Sequence, residues 1–276
     1  YQTELKTKNA DIYDVRHLDI NSNLGDFGST IHNGKLIFAS ERDKGVTTKR
    51  ISCWTGNPFL DLYQVDIKGS SDGCCVTQEF GTPEKFDKGK LNTKFHDAMV
   101  AYSPDGSTIY YTRNNLQNGK VGKADDGTVK LKIFYAKGSD GKWGKDESLP
   151  FNSDEYSVAH PTLSPDGNRL FFASDMPGGF GGMDIYVSEN DGGRWGPPTN
   201  LGPGINTEGN EVFPYYDQKS KLYFSSDSHI GLGGLDVYFV EDKGNNEYGP
   251  VENVGAPINS SYDDFAYTQQ NNKACG

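Results

Sequence analysis

The sequence predicts an all-β protein, a five-bladed β-propeller of four-stranded antiparallel blades. Three observations lead there: aromatic strands that recur, tight turns between them, and one order of elements in every repeat. The clearest pair is 170-LFFASDMPGGFGGMDIYV-187 and 222-LYFSSDSHIGLGGLDVYFV-240. Each copy has an aromatic strand ending in Ser-Asp, a glycine-rich loop, then Asp, a β-branched residue and Tyr. Residues 1–276 are read as a single domain.

The elements follow in order. The aromatic strand occurs as 36-LIFASE-41, 109-IYYTRN-114, 170-LFFASD-175 and 222-LYFSSD-227. The segment before it begins with Asn-Ser or Asn-Thr, at 20-INSNLGDFG-28, 91-LNTKFHDAMV-100, 151-FNSDEYSVAHP-161, 205-INTEGNEVFP-214 and 258-INSSYDDFAY-267. Five residues after each Asn stand Asp26, Asp97, Ser157, Glu211 and Asp264. A third element reads Asp61-Leu62-Tyr63, Lys132-Ile133-Phe134, Asp184-Ile185-Tyr186 and Asp236-Val237-Tyr238, with Asp11-Ile12-Tyr13 as a fifth candidate. A fourth reads 143-WGKDESL-149, 195-WGPPTNL-201 and 248-YGPVENV-254. Hairpin turns 103-SPDG-106 and 164-SPDG-167 join the first two strands, since Pro presets the first corner and Gly takes the awkward one. A solenoid would need shorter, more uniform units with polar caps.

Four units are complete, and a fifth begins at Ile258. Residues 1–19 carry what look like outer strands, so residues 1–19 and 258–276 are expected to share one blade and close the ring, which removes free sheet edges. The alternative is a last blade left incomplete in a piece of a longer chain. The chain opens at Tyr1 without a signal peptide, as expected of a mature or excised piece.

Composition narrows the function classes. A net charge of −11 repels phosphate backbones and anionic lipid, so neither nucleic acid nor membrane insertion is expected. No apolar run approaches the roughly 18 residues of a membrane span. Cys53, Cys74, Cys75 and Cys275 make no zinc-type pair, and a bridge from Cys53 to Cys74 or Cys75 stands beside free thiols as an open alternative.

The acidic series Asp26, Asp97, Glu211 and Asp264 is the candidate ligand or partner site. It is expected at the start of the innermost strands, at the channel mouth, where carboxylates repel unless a cation or basic group sits between them. The competing reading is local bonding to the adjacent hairpin or to Ser/Thr of the same unit. The Asp before Ile/Val-Tyr reads as a brace for the glycine loop, or as calcium-binding, although it falls one residue late for the Gly-Gly-x-Gly-x-Asp signature. His160 is expected to be structural, and Trp143, Trp195 and Tyr248 to pack between blades. No nucleophile elbow, phosphate loop or HExxH is present, and no enzyme activity, cofactor or metal is expected apart from a cation in the channel.

The SPDG turns followed by Tyr/Phe-rich strands resemble the TolB-type propeller repeat of periplasmic proteins. More specifically, 53-CWTGNPFLDLYQVDI-67, 94-KFHDAMVAYSPDGSTIYYTRNN-115 and 178-GGFGGMDIY-186 resemble the propeller of multidomain OmpA-family lipoproteins of diderm bacteria, including a component associated with type IX secretion. The resemblance implies a periplasmic, outer-membrane-associated parent that reaches peptidoglycan through a domain outside these residues. It implies a non-catalytic scaffold whose partners are cell-envelope or secretion-system proteins. The alternative is a small-ligand binder, for muropeptide, glycan or peptide, in an acidic central funnel.

Overall fold

The structure is a computed structural model that describes residues 2–9, 11–13, 15–42, 51–52, 55–68, 79–138, 142–270 and 273–275. Four antiparallel sheets follow one another along the chain. Blade 1 is built from Asp26–His32, Lys35–Ser40 and Asp61–Lys68, with Glu79–Phe80 and Glu84–Lys85 on its outer edge. Blade 2 has Asp97–Tyr102, Thr108–Asn114, Leu131–Lys137 and Glu147–Ser148. Blade 3 has Val158–Leu163, Arg169–Ser174 and Asp184–Asp191, edged by Arg194–Trp195 and Thr199–Asn200. Blade 4 has Glu211–Tyr216, Lys221–Ser226 and Asp236–Gly244, edged by Glu247–Tyr248 and Glu252–Asn253. The strands hold these forms because aromatic and β-branched residues fill both sheet faces, and blades bury both faces against neighbours.

Inter-blade cores make the sheets one body. Ile37 and Leu62 of blade 1 meet Val100, Ile109 and Phe134 of blade 2. Ile133 and Tyr110 meet Leu170, Phe172 and Tyr186, and Phe171 and Ile185 meet Val212, Leu222 and Phe224. Trp143, Trp195 and Tyr248 pack on these three clusters in turn, as expected.

Every innermost strand carries the same bulge. The register of inner against second strand shifts at Phe27/Thr30, Ala98/Val100, Ala159/Thr162 and Val212/Tyr215. At the bulge Gly28, Met99, His160 and Phe213 have φ of 67°, 45°, 57° and 53°, and Ala266 repeats it at 58°. A left-handed residue at this point kinks the strand and turns its side chain aside. Ala266 thus places the segment after Ile258 in a fifth equivalent position.

That fifth position differs from the expectation. Among the described residues it holds a two-stranded hairpin, Thr268–Gln270 with Lys273–Cys275, and not a four-stranded blade. Residues 11–13 form a turn, with the Ile12 and Tyr13 N–H groups donated to the Asn9 carbonyl, and add no strand. The N-terminal segment docks instead on the outer end of blade 4, where the Ala256 N–H reaches the Leu5 carbonyl and Asn9 Nδ2 the Val254 carbonyl. Leu18 and Ile20 cover the free face of blade 1, against Leu36, Phe38 and Tyr63. Cys53, Cys74 and Cys75 lie outside the described residues, as does the side chain of Cys275.

Candidate functional site

In an antiparallel blade, the connection into the inner strand and the loop between second and third strands lie on one face. The inner hairpin turn lies on the other. The first is called here the loop face, the second the turn face. Four of the five Asn residues of the Asn-Ser/Thr motif are staples between blades on the loop-face side. Asn92, Asn152, Asn206 and Asn259 each accept the backbone N–H, and donate to the carbonyl, of one third-strand residue of the preceding blade: Leu62, Ile133, Ile185 and Val237. Asn21, the fifth copy, is exposed.

The acidic series braces these same connections. Asp26, Asp97, Glu211 and Asp264 accept the N–H of Ser22, Thr93, Thr207 and Ser260, each four residues back, at 2.5–2.7 Å. Asp26 also pairs with Arg42 Nη2 at 2.9 Å. Burial raises its proton affinity, but the Ser22, Ser40 and Arg42 donors outweigh that and hold its carboxyl below the usual range. Asp97 is fully buried and pairs with Arg113 Nε at 2.6 Å. Burial pushes Asp97 up to about 6 against the pull of Arg113 and Thr93, so it remains ionised at neutral pH. Glu211, also fully buried, takes the hydroxyls of Thr207 and Ser226 at 2.7 Å. Asp264 is pushed up by burial, with the charges of Asp236 and Asp263 adding to it.

None of the four is among the residues that line the axial cavity described below. Each carboxylate reaches back to a backbone N–H four residues earlier and so closes the connection into its own inner strand. Unit 3 corrects the alignment. Val158, not Ser157, pairs with Ser174 as Asp26 pairs with Ser40, because that unit has one extra residue after its Asn. The arginines were missed by sequence reasoning. Arg42 and Arg113 both lie sixteen residues after their acid, and that spacing was the available signal.

The glycine loops are close-approach joints. A Cβ on Gly181 would come within 2.4 Å of the Thr207 carbonyl oxygen, and one on Gly233 within 2.1 Å of the Tyr262 carbonyl oxygen. Only glycine allows each loop to lie against the next unit's Asn-Ser/Thr connection. Asp184 Oδ2 accepts the Phe180 N–H at 2.6 Å, and Asp236 Oδ2 those of Leu232 and Gly233 at 2.9 Å, as the brace reading expects.

The axis holds a cavity of about 250 Å³, lined by residues of all five inner segments, among them Thr30, Val100, Thr162, Tyr215 and Gln269. These belong to the later parts of the inner strands, so it opens towards the turn face. Phe213, which lines it, contacts Phe27 and Phe265 and stacks on His160 with centroids 3.9 Å apart. Burial pushes His160 down to about 3, so its ring is neutral at neutral pH and accepts the Phe213 N–H at Nδ1. The cavity is a cup lined by hydroxyl and amide groups, among them Thr30, Thr162, Tyr215 and Gln269, together with apolar residues such as Val100 and Phe213.

Five of the seven large apolar side chains exposed among the described residues lie on the loop face, the other two being Ile12 and Val15 of the N-terminal segment. Leu24 and Tyr262 stand at equivalent positions in two inner-strand connections, and Phe180, Ile230 and Ile51 in three second-to-third-strand loops; Tyr262 is 79% and Ile230 68% exposed. Exposed acids surround them, including Glu155, Asp175, Glu208, Asp227 and Asp263. The turn face has compact polar turns instead. Ser103 and Ser107 donate to Asp105 and hold it down to about 2, and Ser164 and Asn168 donate to Asp166. Where unit 4 lacks SPDG, Asp217 takes the N–H groups of Lys219 and Lys221 in the same role.

No family model matches the chain, and no curated protein matches it. Among solved structures it is similar to TolB from Acinetobacter baumannii, at 18% identity and a TM-score of 0.43 over 80% of this chain and 41% of that one. It is similar to a putative TolB from Agrobacterium tumefaciens, at 16% identity and 0.45, over 88% and 86%. It is also similar to a puromycin-hydrolyzing peptidase of Mycobacterium tuberculosis, at 14% identity and 0.47, over 88% and 32%. The chain thus spans about two fifths of the length of the Acinetobacter TolB and about a third of that of the peptidase.

Proposed function

We propose that this propeller is a non-catalytic docking module that binds another protein through its loop face. The carrying observation is the clustering of Leu24, Phe180, Ile230 and Tyr262 on that face, ringed by acids. Apolar anchors inside a polar rim are the anatomy of a protein interface. The partner that fits has an apolar patch with a basic border. A non-catalytic role is supported by the buried acids Asp97 and Glu211, whose oxygens are taken by internal donors. The wider reading places the module in the periplasm beside the outer membrane. There it helps a type IX secretion complex reach the cell wall through domains outside this chain, with a five-bladed ring whose last blade starts near Ile258.

A double variant, Ile230→Ser with Tyr262→Ser, tests this. An envelope protein captured by the wild-type chain is expected to be lost from the variant and retained by a turn-face variant, Asp166→Asn. Retention by the loop-face variant contradicts the reading. The axial cup supports a second one, a small neutral polar ligand held by Thr30, Tyr215 and Gln269. Calorimetry with neutral glycan and peptide fragments tests that, and silence across the set counts against it.

A further inference from the structure

We propose that the glycine loops of blades 3 and 4 each bind a hard, oxygen-seeking cation of the calcium class, held by Asp184 and Asp236. Both residues open a third strand, and both are buried, at 0% and 1% exposure. In each, Oδ2 is occupied. Asp184 Oδ2 takes the Phe180 N–H and Asn200 Nδ2, and Asp236 Oδ2 takes two loop N–H groups. In each, Oδ1 is buried and has no hydrogen-bond partner. The same atom is orphaned at the same place in two blades. A buried carboxylate with only neutral donors on one oxygen is costly to hold.

The other two blades indicate what is missing. In blade 1 the equivalent Asp61 pairs with Lys85 Nζ at 2.6 Å. Lys85 lies opposite Tyr63, where blade 3 has Asn200 opposite Tyr186 and blade 4 has Asn253 opposite Tyr238. In blade 2 the acid itself is replaced by Lys132, whose Nζ bonds Asp154 at 2.6 Å. Where the chain supplies an ammonium, the position is charge-balanced. Where it supplies Asn at the edge and Asp on the strand, a positive charge is lacking. Lys8 approaches blade 4 but is committed to the Asn253 carbonyl and to Glu252. Asp263 and Asp264 add further negative charge near Asp236, visible in the raised proton affinity of Asp264, for which burial is the larger cause.

The donors are oxygens, which selects a calcium-like ion over zinc or copper. Among the described residues no three acidic, His or Cys side chains gather in one place. Each site therefore rests on one carboxylate, with loop carbonyls and water completing the shell. Such sparse sites fall in the weak range, with a Kd of about 10⁻⁴–10⁻³ M.

The test is calcium binding to the intact chelator-treated chain, by equilibrium dialysis, for wild type, Asp184→Asn, Asp236→Asn and the double variant. Magnesium and sodium run in parallel. The expected result is two calcium ions per wild-type chain, one per single variant and none in the double variant, with calcium raising the melting temperature most for wild type, less for each single variant and not at all for the double variant. Asn keeps an oxygen to accept the loop N–H groups, so the variants are expected to fold. Should they not, terbium luminescence of wild type, sensitised by the neighbouring Tyr186 and Tyr238, decides. Absence of binding by all three cations and of terbium emission overturns the proposal, as does a double variant that keeps both ions. These outcomes are independent of the docking reading, which needs no cation.

Discussion

The two faces of this propeller are built from the same four repeats by different means. The turn face closes each hairpin within a few residues, with Asp105 and Asp166 taking donors from their own turns. Neighbouring blades meet there through side chains: His32 stacks on Tyr102 with centroids 3.8 Å apart, Arg169 pairs with Asp242 at 2.5 Å, and a Cβ on Gly167 would press on Pro104 at 2.9 Å. The loop face is bonded across blades through four Asn staples and the glycine joints. It is also where Leu24, Ile51, Phe180, Ile230 and Tyr262 are exposed and where the excursion 115–130 is found. A face that is rigidly tied between blades can carry long, apolar-tipped loops at fixed spacing, which is what a docking surface needs. The turn face, tied between blades by side chains such as Arg169, carries small polar closures at its hairpins.

The contrast can be broken most severely under the loop face. Arg113 is 5% exposed and holds Asp97, Asp146 and the Leu91 carbonyl. Arg113→Ala leaves Asp97 as an unpaired buried charge, and denaturant unfolding is expected to register a loss of about 3–5 kcal/mol. Adding Asp97→Asn should restore part of it. If the single variant unfolds like wild type, the brace is not structural.

The staples allow a sharper comparison within one motif. Asn206→Ala removes both bonds to Ile185 and leaves its N–H and C=O unpaired, a loss of about 1–3 kcal/mol. Asn21→Ala, at the exposed copy, is expected to leave the unfolding midpoint where it was. Equal losses at the two positions would mean that the motif acts inside its own turn and not between blades.

The smallest of these effects is set by pH. The proton affinity of His160 in the fold lies well below its unfolded value near 6.5, because the ring is buried. The unfolded chain therefore binds the extra proton, so stability is full above about pH 6.5 and falls as pH drops towards 3. By pH 5 the loss is about 1–2 kcal/mol. His160→Phe should flatten that part of the profile, which differential scanning calorimetry from pH 7 to 5 can read.

Much of this was legible in the strand repeats. The aromatic second strand, the SPDG turn and the Asp-Ile-Tyr third strand fall where the repeats put them, because each is a local pattern with a local cause. Pairings between units were harder to read. The Asn-Ser/Thr motif was visible, but its partner lies 19 to 30 residues earlier, in another blade. Asp26 and Asp97 stood out as a ring of acids because their arginines are a strand away. Asp11-Ile12-Tyr13 has the letters of a third strand but stands only nine residues before Asn21, too few to fit a fourth strand between. That distance, compared with the other four, would have argued against closing the ring at the N-terminus. The bulge was not legible at all, since Gly28, Met99, His160, Phe213 and Ala266 share a backbone conformation and no chemistry.

The most direct measurement is hydrogen–deuterium exchange of the chain alone and with its captured envelope partner. Docking through the loop face predicts added protection over residues 20–26, 176–183, 228–234 and 260–263. Protection over the hairpin turns at 103–107, 164–168 and 217–221, with the loop face unchanged, would contradict it.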